Sequence, residues 1–247
     1  MNYQIIPLVL LKYQGEKGVM TFLTDYGKPI VRPFVLWCIK GAEKNIIVDT
    51  GIEMEDYRNY HHDFNQLPMD QIMSFEEALA SVGLTPEKVD MVIQTHLHFD
   101  HCYNTRKCFN AKVIVQEDEL KFAHSAGPYQ NLYRKELFQG LHFEVVKGDR
   151  ELFEGIELIH VPGHSLGGQA VSIQTKKGKA VISGFCSIKE NFYPKKTHPM
   201  AGHPVVLPGI MVDAVKAYES ILKIKERADI ILPLHDPELL EMNGIPQ

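Results

Sequence analysis

The stretch Met91–His101, MVIQTHLHFDH, constrains this chain more than any other part of it. An apolar run ends abruptly in His96, His98, Asp100 and His101, three imidazoles and a carboxylate within six residues. A single histidine in a chain that has 12 of them would be read as a core or surface residue. This density, directly after a β-like run, points to metal ligation instead. Alternate residues of a strand share a face, so His96 and His98 are expected to point into one pocket, with Asp100 and His101 on the turn past the strand end. One hexapeptide could then serve two neighbouring metals.

The other ends of the problem are set by composition. With 247 residues, 45% hydrophobic and 23% charged, the chain reads as one globular domain over 1–247. A net charge of −5 leaves no basic footprint for nucleic acid or for an anionic membrane, so the expected partner is a small-molecule substrate. Cys38, Cys102, Cys108 and Cys186 form no C-x-x-C pair and no dense cluster, which fits a reduced, cytoplasmic protein. The apolar run Ile5–Leu11 contains Pro7 and lacks a basic flank, so it reads as a strand and not as a signal peptide. No stretch is apolar for long enough to span a membrane.

Along the chain, the bursts Ile5–Leu11, Val19–Leu23, Val31–Ile39 and Ile46–Val48 predict consecutive antiparallel strands. Ser74 and Glu77 form a capping box ahead of a helix that ends at Gly83. A short helix is expected over Cys102–Phe109, a strand over Ala111–Val115 and a helix over Gln116–His124. Residues 125–142 carry Tyr129, Leu132, Tyr133, Leu137 and Phe138 at helical spacing, which suits a core-facing helix or a flap over an apolar substrate. Short strands return over Phe143–Val146, Glu151–Phe153, Ile156–His160, Ala170–Gln174 and Ala180–Ser183. Val212–Glu226 reads as an amphipathic helix and Ala228–Leu232 as the last strand. Strands, a helical section, then strands again imply two sheets packed face to face with helices outside.

His-x-His-x-Asp-His resembles the signature of the metallo-β-lactamase superfamily, and later segments resemble it too. The lead-in Leu84-Thr85-Pro86-Glu87, the Pro162-Gly163-His164 turn, and Pro233-Leu234-His235-Asp236 after the last strand all match the family's pattern. The resemblance covers nearly the whole chain and is strongest to N-acyl-homoserine lactonase-like members. It implies an α+β fold, the αββα four-layer sandwich. It also implies His164 and His235 as further ligands, with Asp49 supporting the metal loop. The set would be two divalent ions, zinc being expected and iron or manganese the alternatives, with the second site open. One ion would fall to His96, His98 and His164 and the other to Asp100, His101 and His235, with Asp100 doubling as the catalytic proton carrier.

The chain departs from the family at Ser183-Gly184-Phe185-Cys186, where dinuclear members place a bridging aspartate. Phe185 falls in that slot if Gly184 aligns with the family glycine. Cys186 is therefore a candidate thiolate ligand, with Lys189 resembling a substrate-anchoring lysine of one subclass. The family tyrosine that contacts the substrate carbonyl has Ser187 or Ile188 in its place. His61 and His62 could flank the site mouth, and His198 and His203 are candidate substrate contacts. What the resemblance implies is a metal-dependent hydrolase opening a small lactone or carboxylic ester by attack of a metal-bound hydroxide. Alternatives are a thioesterase or amidase, a mononuclear iron dioxygenase of thiol persulfides, and a non-catalytic binding protein. A homodimer stays open.

Overall fold

The computed structural model describes residues 2–60, 68–128, 130–196 and 202–245. His61, His62, Tyr129 and His198 lie outside the described residues.

Two sheets face one another. The first has seven strands in the order β4-β1-β2-β3-β5-β6-β7: β1 Gln4–Glu16, β2 Pro29–Lys40, β3 Ile46–Val48, β4 Met69–Gln71, β5 Met91–Ile93, β6 Lys112–Gln116 and β7 Phe143–Val146. The second has five in the order β12-β11-β10-β9-β8: β8 Arg150–Phe153, β9 Ile156–His160, β10 Gln169–Thr175, β11 Gly178–Ile182 and β12 Ile230–Leu232. The strand period is visible in where side chains go. From β2, Val35, Trp37 and Ile39 enter the core between the sheets, while Phe34, Leu36 and Cys38 pack outward against the helical layer. From β11, Ala180 and Ile182 face inward and Val181 faces outward to Ile221 and Ile224 of a helix. Trp37 is fully buried in the inner core, and each such large side chain contributes roughly 2–3 kcal/mol.

The helices are α1 Met54–Tyr60, α2 Phe75–Ser81, α3 Phe99–Cys102, α4 Glu117–Ser125, α5 Lys135–Phe138, α6 Lys189–Phe192 and α7 Ala214–Arg227. Ser74 caps α2 with the full capping box to Glu77, and Asp213 caps α7 through the Lys216 N–H. Helices lie outside both sheets, as the sandwich reading expected.

Direction of the strands decides where chemistry can sit. Strands β3, β5, β6 and β7 run parallel to one another, and the short β3 and β5 are apolar and buried throughout. In the second sheet β10 is antiparallel to β9 and β11, and β12 is parallel to β11, so β9, β11 and β12 all run one way. Gln169 at the start of β10 donates its backbone N–H to the Thr95 carbonyl. That bond joins the carboxyl ends of β3 and β5 to those of β9, β11 and β12 along a single edge.

Three local expectations fail for physical reasons. Val19–Leu23 is not a strand: β1 continues to Glu16 and the chain then turns, with Leu23 and Asp25 at φ 61° and 56°. Among the described residues, 125–142 form no continuous helix, because Gly127-Pro128 and Gly140 break it and leave α5. The helix after the metal motif starts at Phe99, inside the motif, and not at Cys102.

Candidate metal centre

His96 and His98 do not share a face by strand alternation, since β5 ends at Ile93. They lie on the loop that follows, and hydrogen bonds to Asp49 shape it. Asp49 leaves β3 beside the end of β5, Val48 being paired with Ile93. Fully buried and held at φ 57°, it accepts the Thr95 backbone N–H at 2.7 Å, the Thr95 hydroxyl at 2.8 Å and the His101 Nδ1–H at 2.9 Å. The supporting role expected of it is the role these bonds describe.

The same logic fixes four imidazole tautomers. Thr95 Oγ1 spends its proton on Asp49, so at 3.0 Å it accepts from His96 Nδ1. His164 Nδ1 donates to the Ile210 carbonyl at 2.7 Å, and His235 Nδ1 to the Pro33 carbonyl at 3.1 Å. With His101 bound to Asp49, every one of these rings keeps its Nε2 lone pair for the centre. His98 packs edge-on against Tyr133, with ring centroids 4.6 Å apart.

Six of the seven expected ligands converge in two groups. His96, His98 and His164 form one, and Asp100, His101 and His235 the other, the donor atoms of each lying within 4.8 Å of one another. His96 Nε2 and His164 Nε2 face each other at 3.3 Å. Two neutral imidazoles would repel at that separation, yet nitrogens about 2.0–2.1 Å from a tetrahedral zinc lie about 3.3–3.4 Å apart. The donor set therefore fits a divalent ion. Asp100 Oδ2 lies 3.4 Å from His101 Nε2 and 3.9 Å from His235 Nε2, so the second group pairs two imidazoles with one carboxylate.

Charge follows burial. Removal from water pushes His164 down to about 4 and His235 down to about 3. His96 and His98 are driven well below the usual imidazole value by burial and then by one another's neighbours. Burial also opposes charge on His101, but Asp100 and Asp49 outweigh it and raise its pKa. Burial likewise opposes charge on Asp100, and His101, His235 and His98 more than offset this, so its pKa is lowered. Neutral imidazoles beside an ionised carboxylate are the forms that bind metal.

These shifts predict an acid-labile fold once metal is stripped. His164 and His235, depressed in the folded state, give stability that is complete above their unfolded pKa near 6.5 and is lost as pH falls through 4 and 3, roughly 3 kcal/mol for His164 alone. His101, raised, acts with the opposite sign and adds its stability below the unfolded value. With four depressed histidines against one raised, the urea midpoint of chelated protein is expected to fall between pH 7 and pH 4.5. An unchanged midpoint would contradict the buried, neutral assignment.

A cleft of about 550 Å³ opens on the two groups, lined by His98, Asp100, His101, His164 and His235 at its floor and by Tyr13, Phe34, Tyr57, Phe99 and Leu132 on its walls. Against this geometry, residues 34–227 match the family model described as Metallo-beta-lactamase superfamily.

The chain belongs to the metallo-beta-lactamase superfamily.

Among its relatives, an N-acyl homoserine lactonase from Bacillus sp. is 30% identical over 203 residues, covering 77% of this chain and 75% of that protein. The N-acyl homoserine lactonase AiiA of Bacillus thuringiensis subsp. kurstaki is 28% identical over 215 residues, covering 82% of each chain. The solved N-acyl homoserine lactone hydrolase with N-hexanoyl-L-homoserine at its catalytic metal centre superposes with a TM-score of 0.78 at 25% identity, covering 98% of this chain and 96% of that one. The chain is accordingly an enzyme of the superfamily's metal-dependent hydrolase type, with the fold the sequence led one to expect. Among the described residues no helix is long and apolar enough to cross a membrane.

Where the superfamily's bridging aspartate would be sought, the structure offers no acid. Gly184 has φ 75°, and a Cβ there would lie 2.0 Å from the Gln169 carbonyl oxygen. Phe185 turns away from the cleft onto Phe192, with ring centroids 5.7 Å apart. Cys186 lines the cleft but belongs to neither donor group. Its thiol, pushed up to about 12 by burial, donates to Met20 Sδ at 3.5 Å. Lys189 is no substrate anchor, since its ammonium lies on the surface against Glu238 at 2.9 Å. His203 is exposed and does not line the cleft, and His160 ends β9 on the sheet.

Glu119 on α4 went unnoticed in the sequence. Fully buried, it accepts the Leu97 N–H at 2.8 Å, the Gly167 N–H at 3.2 Å and the Tyr133 hydroxyl at 3.0 Å. It thereby ties the loop of His96 and His98 to the loop after His164. Its only signal in the sequence was a third acid in a helix's first turn, which dipole complementarity explains equally well.

Proposed function

We propose that the chain hydrolyses a small lactone or carboxylic ester using two divalent ions, zinc by preference. His96, His98 and His164 would hold one ion, and Asp100, His101 and His235 the other. The observation that carries this reading is two donor trios set side by side on the floor of one apolar-walled cleft. Each trio leaves coordination positions open, as catalytic sites do and structural ones do not. When bound, such a pair polarises a carbonyl oxygen and brings the pKa of a water near neutrality.

The chain's own groups do the rest. Asp49, Ile210 and Pro33 hold the imidazoles in their Nε2-facing tautomers. Asp100, which lines the cleft, would take the proton of the attacking water and return it to the leaving oxygen. Phe34, Tyr57 and Phe99 present apolar walls that exclude bulk water from the reacting carbonyl. The lactonase relatives favour a cyclic ester over a thioester or amide. Four buried, free cysteines suit a reduced cytoplasmic setting.

The test is turnover of a panel of lactones, esters, thioesters and amides before and after exhaustive chelation. Lactone hydrolysis is expected to fall at least ~100-fold on metal removal and to return with zinc. Activity that survives chelation would sink the reading. One iron per chain, with oxygen uptake on a thiol persulfide, would replace it with the dioxygenase alternative, for which the two-histidine, one-carboxylate trio is the relevant donor set.

A further inference from the structure

The cleft holds a cation that no carboxylate among the described residues pairs with. Arg32, near the start of β2, is 9% exposed and lines the cleft. Its Nη1 donates to the Met20 thioether at 3.4 Å, the guanidinium's one hydrogen bond among the described residues, and its buried Nε has no partner. Its Cζ lies 4.8 Å from the centroid of the Tyr13 ring. A thioether and an aromatic face replace little of the water that a guanidinium gives up on burial. Lys17 and Lys107, by contrast, are answered by carboxylates, Lys17 by Asp25 and Glu190 and Lys107 by Glu53 and Glu76; Arg58 and Arg134 share the unpartnered Nε but do not line the cleft. Glu16, which also lines the cleft, is engaged by the Gly27 N–H at 2.8 Å.

The surroundings are arranged to admit the guanidinium. A Cβ at Gly15 would lie 2.6 Å from Arg32 Nη2 and 2.6 Å from the Tyr13 ring, so the glycine leaves room for both. Arg32 precedes Phe34 by two positions on the same strand face, about 7 Å along, and the Phe34 ring sits 5.5 Å from that of His235. The charge is felt at His235, Cys186 and Tyr57, where it disfavours a proton. An anion beside Arg32 would therefore lie within reach of a molecule whose carbonyl sits at the metal trios, several bonds away from that carbonyl.

We propose that Arg32 is a substrate-binding residue that docks a carboxylate, so that the preferred lactone or ester carries an acidic substituent. Arginine's planar fork matches a carboxylate, and such charge-assisted bonds are the strong ones in a desolvated cleft. This deepens the hydrolase reading and rests on it for the turnover arm of the test.

The experiment compares matched pairs on the zinc-loaded full chain: monophenyl esters of succinic, glutaric and adipic acids, and the same esters with the free carboxylate replaced by a primary amide. Wild type is expected to favour the best-fitting carboxylate by 10- to 100-fold in kcat/KM, mostly through KM. Arg32→Gln is expected to bring the ratio near one, and Arg32→Lys to keep part of it, since the charge remains and the fork is lost. Thermal melts establish that the variants fold, and Arg32→Lys carries the test alone if Arg32→Gln does not. A ratio unchanged by either substitution, or a wild-type preference for the amide, overturns the assignment. If wild type turns over neither these esters nor any lactone, the hydrolase reading fails by itself. Arg32 is then judged by calorimetric binding of glutarate, where tighter binding to wild type than to Arg32→Gln supports the docking role and equal affinity overturns it.

Discussion

His164→Ala is expected to cost the protein one of the two ions proposed for it and to lower kcat/KM on a lactone by about 10³-fold. The residue sits on the loop after β9, reached through Gly163, whose φ of 133° and close approach to the Ala217 backbone exclude a side chain there. It contributes nothing to the inner core, so the fold is expected to persist while the first trio falls to His96 and His98. Metal content by mass spectrometry and kcat/KM on the same sample check this together. A variant that retains two ions and near-normal turnover would mean that His164 is a neighbour of the centre and not part of it.

Gly184→Asp, which would put a carboxylate one residue before the slot that Phe185 occupies, is expected to damage the fold without adding a ligand. The φ of 75° is unfavourable for any side chain with a Cβ, and that Cβ would lie 2.0 Å from the Gln169 carbonyl oxygen and 2.4 Å from its carbon. Positive φ and overpacking against backbone together come to about 3–5 kcal/mol, which in a chain of this size lowers Tm by roughly 10 °C. A thermal melt of the variant reads this directly. An unchanged Tm with tighter zinc binding would show that the strand end can reshape, and that the missing acid is a substitution the site tolerates in either form.

The parts of the site that sequence reveals are those written locally. His96, His98, Asp100 and His101 declare themselves by density, and His164 and His235 only through the family resemblance of the turns that carry them. The reason proposed for their convergence was only partly right. Strand alternation does not align His96 with His98; the buried Asp49 carboxylate does, by bonding Thr95 and His101 across parallel neighbours. Such a contact depends on β3 and β5 being adjacent, which no spacing states. Glu119 and Arg32 stay hidden for the same reason, because a charge on a helix or strand gains its meaning from what packs across from it. Leu23 and the 125–142 segment misled in the other direction, since apolar content there is set against turns and chain breaks that periodicity alone does not weigh.

Crystals of the zinc-loaded protein, read by anomalous scattering at the zinc edge, test the central claim most directly. Two peaks per chain are expected, one bonded to the Nε2 atoms of His96 and His164 together with His98, the other to Asp100, His101 and His235, with Cys186 Sγ outside bonding distance of both. A single peak, a peak bonded to Cys186, or zinc bound away from these six residues would contradict it.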